Sequence, residues 1–213
     1  MSSTKRAFRA GLTYELGRYP QGLIDKKKVR RQHRAELGGA PLPAGNEPPC
    51  AVKPIRWLIA EVDIEKRQAL LISKKGLDCR PYHSLTVNPG WEASELRRWL
   101  NGDFLQEAFT SEELERLLPA GHSGAEPQER VFILSKDELD RYLPAISERR
   151  CQITAYAFSR GGYCDDQGDC CWWLRTDPKE ADKCSVISYG GGAYEMEADF
   201  AHNCIRPAIR IAY

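Results

Sequence analysis

No run of apolar residues in this chain approaches the roughly twenty that a membrane-spanning helix requires, so a helical span is excluded. Net charge is almost absent: 31 Lys and Arg stand against 30 Asp and Glu, a formal +1. A protein that coats nucleic acid normally carries a clear basic excess. A hydrophobic content of 42% excludes wholesale disorder, because disordered chains are poor in apolar residues. The stretch Met1 to Ala7 lacks the apolar segment of a secretory signal. The expected location is therefore cytoplasmic, where the eight cysteines stay mostly reduced. The familiar catalytic signatures are missing too: there is no G-x-S-x-G elbow, no G-x-x-x-x-G-K-[ST] phosphate loop, no H-E-x-x-H and no G-x-G-x-x-G. No C-x-x-C pair occurs, and His33, His83, His122 and His202 are scattered, so no metal and no cofactor is expected.

What is present is unevenly distributed. Residues 1–50 hold ten Lys/Arg and four Asp/Glu, whereas residues 51–213 hold twenty-one and twenty-six, so a basic beginning is balanced by an acidic body. The excess concentrates in Lys26, Lys27, Lys28, Arg30, Arg31 and Arg34. Such a run reads either as a solvated segment or as a contact for nucleic acid. Gly and Pro crowd residues 38–49 and block helix and central strand alike. The expected organisation is a tail over 1–10 and a single domain over 11–213, interrupted by a basic, Pro-rich excursion at 24–53. At 213 residues such a chain buries roughly 70% of its unfolded surface and needs no disulfides to fold.

From Ile55 the pattern becomes regular. Ile55–Val62 and Gln68–Ser73 read as strands, joined by a hairpin connection over Asp63–Arg67. Ala93, Leu96, Trp99 and Leu100 fall at helical spacing and predict a helix over Glu92–Leu100. Thr110 with Glu113, and Ser135 with Glu138, are capping boxes that open two more helices. Beyond Thr154 helical periodicity disappears. Glycines punctuate short apolar runs there, ending in a strand with Ile209 and Ile211 on one face. The fold class is therefore α+β, with helices in the first two thirds and a loop-rich β C-terminal part.

Cys164, Cys170, Cys171, Cys184 and Cys204 crowd one region; buried thiols, a disulfide such as 164–184, and a metal or reactive pair remain open alternatives. Asp165, Asp166 and Asp169 share a short loop that reads as a solvated turn or a hard-cation site.

Several blocks in one order resemble an uncharacterised bacterial domain family. They are Gly17-Arg18-Tyr19-Pro20-Gln21, Ile55-Arg56-Trp57-Leu58-Ile59, Ala69-Leu70-Leu71-Ile72-Ser73-Lys74, and Leu77-Asp78-Cys79-Arg80-Pro81-Tyr82. Further blocks are Trp91-Glu92-Ala93-Ser94-Glu95-Leu96-Arg97-Arg98-Trp99-Leu100-Asn101, Phe104–Phe109, Val131–Glu138, Trp172-Trp173-Leu174-Arg175-Thr176 and Arg206-Pro207-Ala208-Ile209. The tail of that family is similar to C-type-lectin-like domains, which include formylglycine-generating enzymes and phage-associated variable receptor proteins. The resemblance implies a C-type-lectin-like single domain whose first and last strands pair and whose C-terminal loops face a ligand. Trp172 and Trp173 then alternate across a strand, one ring in the core and one near the surface, with Arg175 and Arg206 anchoring loops. Tyr, Asp and Asn on Gly-rich loops supply rigid aromatic area and adaptable hydrogen bonds. The expected ligand-binding residues are Tyr163, Asp165, Asp166, Tyr189, Tyr194, His202 and Asn203. Three functions follow as expectations: a non-enzymatic recognition module for a protein or glycan, a cysteine- or metal-dependent enzyme on the same scaffold, and a nucleic-acid-associated protein acting through the basic 26–34 segment.

Overall fold

The computed structural model describes residues 8–23, 27, 51–122, 126–177 and 183–213. Strand β1 (Thr13–Pro20) pairs antiparallel with β2 (Val52–Asp63), and β2 turns into β3 (Gln68–Ser73) through the expected hairpin. The last strand, β13 (Ala208–Ala212), lies beside β3 and continues to β6 (Leu117–Leu118) and β7 (Val131–Phe132). The first and last strands therefore share a sheet without pairing, because β2 and β3 stand between them. A second, five-stranded sheet runs in the order β11 (Ala193–Met196), β10 (Cys184–Ile187), β9 (Trp172–Trp173), β12 (Cys204–Ile205), β5 (Asp78–Cys79). Two short strands, β4 (Lys75–Gly76) and β8 (Gln152–Ile153), pair parallel. The class is mixed α+β with more strand than helix.

Each helix start has a local cause. Ser94, not Glu92, caps the first helix: its side chain accepts from the Arg97 amide, and α1 spans Glu95–Trp99. A five-residue π-helix (Leu100–Phe104) then leads into α2 (Leu105–Ala108). Asn101 sits in that widened turn and replaces a β-partner. Its Oδ1 accepts from the amides of Arg130 (2.8 Å) and Val131 (3.0 Å), and its Nδ2 donates to the Val131 carbonyl (2.8 Å). Both expected capping boxes form, opening α3 (Ser111–Arg116) and α4 (Lys136–Tyr142). A short α5 (Ile146–Arg149) precedes β8. The region past Thr154 is not free of helix, for Thr154 caps α6 (Ala155–Ser159) by accepting from the Ala157 amide. Five residues are too few to show a 3.6-residue period.

The sequence blocks that carry the family resemblance act as fasteners. Gly17 sits at φ +68°, and a Cβ there would come within 2.7 Å of the Ala108 carbonyl. Its amide donates to Glu113, the same carboxylate that closes the Thr110 box, so β1 is latched to α3. Tyr19 donates to the buried Asp78 carboxylate at 2.7 Å. Trp172 and Trp173 are both fully buried. The expectation of one surface ring fails because β9 lies inside its sheet, where Trp172 donates to the Arg149 carbonyl and Trp173 to the Arg80 carbonyl. Arg206 lies over the Trp172 ring and donates to the Ser73 carbonyl; Arg175 pairs with Glu138. One hydrophobic core links both sheets. Phe8, assigned by position to the tail, stacks on Tyr213 with centroids 4.1 Å apart. No described helix is long and apolar enough to cross a membrane.

Candidate functional site

The loops that flank the five-stranded sheet, together with its edge strand β11, bring four of the expected ligand-binding residues into two groups. In the first, Tyr163 and His202 stack with ring centroids 4.2 Å apart and planes 11° from parallel. Phe200 meets His202 edge-on at 5.2 Å. The His202 Nδ1–H donates to the Gly161 carbonyl at 2.7 Å, which fixes the ring and leaves Nε2 as its acceptor. All three rings are half-buried, so part of each faces water. Gly161, at φ +102°, makes the turn that brings its carbonyl beneath the imidazole.

In the second group, Tyr189 and Tyr194 of the β10–β11 hairpin lie beside the Cys171 thiol. Burial holds that thiol above its ordinary range, offset in part by the two hydroxyls and reinforced by the nearby Asp165 carboxylate. Both tyrosine hydroxyls are also raised, first by burial. The Cys204 amide donates to the Cys171 carbonyl, which ties the chain after His202 to the chain before Trp172. Gly191, at φ +91°, docks the hairpin tip against Ile146.

The remaining expected residues differ in what they offer. Asp166 is exposed. The Asp165 carboxylate accepts from the amides of Gln167 (2.8 Å) and Asp169 (2.9 Å), so it shapes its own loop. Asp169 is engaged by Arg150. Asn203 is 1% exposed and contributes no surface, and its Nδ2 finds no hydrogen-bond partner among the described residues. Of the basic segment, Lys27 is exposed, while Lys26, Lys28, Arg30, Arg31 and Arg34 lie outside the described residues.

The seven described cysteines, Cys79, Cys151, Cys164, Cys170, Cys171, Cys184 and Cys204, are free and buried, so no 164–184 disulfide forms. The Cys170 thiol lies beside those of Cys151 and Cys204. Burial pushes Cys79, Cys164, Cys184 and Cys204 up to about 12 and holds Cys151 and Cys170 well above the ordinary value. A nucleophilic cysteine needs the opposite shift. Among the described residues no group of three or more His, Cys, Asp or Glu is arranged to hold a metal ion.

Sequence reasoning missed a second feature, a cleft of about 420 Å³ on the far side of β4 and β8. Its cations come from separate segments, so no run or motif announces it.

Comparison with family models matches residues 66–213 to a family described as Domain of unknown function (DUF6273). β1 and β2 precede the matched region. No curated protein and no solved structure matches the chain.

Proposed function

Since the chain belongs to the DUF6273 family, whose description assigns no activity, we propose a function on geometry and chemistry: a non-enzymatic recognition module, C-type-lectin-like in layout, that binds its ligand on the C-terminal loops. The observation that carries this reading is the half-exposed Tyr163–His202 stack, edged by Phe200 and held by the Gly161 carbonyl. Rings fixed this way are preorganised, so little rotamer entropy is lost when a ligand covers them. The ligand is a protein or a glycan, and the chemistry favours the glycan. A sugar's apolar face suits a fixed ring plane, while Asp166, the His202 Nε2 and the tyrosine hydroxyls suit its hydroxyl groups. The buried, protonated thiols support holding a ligand rather than converting it.

A panel of soluble oligosaccharides of defined composition, titrated against the full chain, tests the proposal. The expected result is saturable binding that weakens about tenfold or more in Tyr163→Ala, a loss of the size seen at aromatic anchors, with the thermal melt little changed. Exposed Lys66→Ala should bind as the parent does. Binding that survives Tyr163→Ala and His202→Ala unchanged would remove this surface from the account, and a panel member chemically altered by the protein would remove the non-enzymatic reading.

A further inference from the structure

The 420 Å³ cleft is of the size that small-molecule sites occupy. Lys53, Arg56, Lys74, Lys75 and Arg150 line it, and Glu15 is the one carboxylate among the described lining residues. Two of the five cations are already engaged. Arg150 is neutralised by Asp169, and Lys74 donates to the Thr13 hydroxyl at 3.3 Å. Lys53, Arg56 and Lys75 have no carboxylate within 4 Å among the described residues, although Glu15 stands opposite Arg56 in the β1–β2 register.

The walls that hold these cations are braced. The Gln21 amide donates to the carbonyls of Lys53 (3.0 Å) and Pro54 (3.1 Å), which fixes the start of β2. The Lys74 amide donates to the Arg56 carbonyl at 3.0 Å. Lys75 is pinned through Ser73, whose hydroxyl donates to its carbonyl at 2.8 Å, and through its pairing with Gln152. Pro54 and Leu77 supply an apolar side. Among the described residues five cations thus share one space with the single lining carboxylate of Glu15 and the Asp169 partner of Arg150, an excess of positive charge that costs free energy in the empty protein and is relieved when an anion enters. Lys75 registers that cost. It is half-buried, and desolvation, reinforced by Lys53 and Arg56 and opposed by the Cys151 thiol, lowers its pKa.

We propose that this cleft binds the phosphate group of a small phosphate monoester, with the dianion held by Lys53, Arg56 and Lys75 and the ester group against Pro54 and Leu77. A dianion matches three converging cations better than a carboxylate, which brings one charge. Arg56 offers the planar fork that suits phosphate oxygens, and the lysines act as point charges. This proposal does not rest on the loop surface, whose aromatic residues are not among those that line the cleft.

The test is a ¹³C NMR titration of the lysine ε-methylenes in the full chain, with three probes: inorganic phosphate, phenyl phosphate and a short single-stranded oligothymidylate. Lys75 should titrate below the other lysines in the free protein. Both phosphates should shift its signal saturably and move its midpoint upward, since a bound dianion favours the ammonium form. Phenyl phosphate should bind more tightly than the inorganic ion, because only the ester reaches Pro54 and Leu77. Lys75→Gln and Arg56→Gln should each weaken binding about tenfold, the loss of one charge-assisted hydrogen bond, while Lys66→Gln should change nothing. Arg56 is exposed on its strand, so this second variant serves if Lys75→Gln does not fold. Phosphates that leave Lys75 unmoved, or that bind both variants as they bind the parent, overturn the proposal. So does inorganic phosphate binding as tightly as the ester, or a shift produced by the oligonucleotide alone, which would make the cleft part of a polyanion contact.

Discussion

Glu129→Ala is expected to destabilise the protein by about 3–5 kcal/mol, the range for removing one partner of a buried ion pair. For a chain of this size that corresponds to a fall in Tm of roughly 10 °C. Glu129 is 1% exposed and accepts three hydrogen bonds: from Trp91 Nε1 at 2.8 Å, from Arg97 Nε at 2.7 Å and from His122 Nε2 at 2.8 Å. Truncation leaves the Arg97 Nε–H and the indole N–H without an acceptor in a covered site, while the rest of the guanidinium keeps Glu126 and the Glu92 carbonyl. Burial alone would raise the Glu129 pKa, but the bonds from His122, Arg97 and Trp91 outweigh it and hold the carboxyl below its ordinary value. The sign of the pH dependence follows. A carboxyl with a depressed folded pKa binds fewer protons folded than unfolded. Its contribution is therefore fully present above the unfolded value of about 4.3 and is lost as pH falls through the folded one. Denaturant melts across acidic pH should show the parent losing stability more steeply than Glu129→Gln. Equal slopes would mean that Glu129 is not held by this network.

The second large effect lies in the β10–β11 hairpin that carries Tyr189 and Tyr194. Gly191 occupies φ +91°, and a Cβ added there would lie 2.3 Å from the Ile146 carbonyl oxygen. Gly191→Ala should cost about 3 kcal/mol, combining left-handed backbone strain with overpacking. Because the hairpin tip must leave α5, Tyr189 and Tyr194 shift with it, and ligand binding on the loops should fall as well. Gly190→Ala is the matched control. Its added Cβ meets nothing closer than the Ser188 hydroxyl at 4.0 Å, so the change should stay within about 0.5 kcal/mol. A Gly191→Ala protein as stable as Gly190→Ala would show that the tip does not dock as described.

Elements governed by neighbouring residues were legible in the sequence. The hairpin over Asp63–Arg67 and the boxes at Thr110 and Ser135 need only nearby side chains, and each forms where expected. The π-turn was not legible, because it depends on Asn101 meeting residues 130 and 131. Nor was the place of β13, which follows from long-range pairing with three other strands. The same distinction runs through the functional residues. Tyr163 and His202 stand on Gly-rich loops and are visible as candidates, yet Asn203, one residue further on, is buried. The blocks that resemble a family include Gly17, Tyr19, Trp91, Arg97 and Asn101, all of which lock the scaffold. Such residues identify a fold without announcing an activity. The cationic cleft is the extreme case. Lys53 and Arg56 come from β2, Lys75 from β4 and Arg150 from the chain before β8, so only folding brings the charges together.

The central claim is that a preformed aromatic surface on the C-terminal loops holds a ligand without converting it. The most direct measurement is the aromatic ¹H–¹³C spectrum of the full chain, titrated with the strongest binder from the oligosaccharide panel. Saturable shifts at Tyr163, His202, Tyr189 and Tyr194, with the saccharide recovered unaltered, are the predicted result. A binder that moves other resonances while these four stay still would contradict the account.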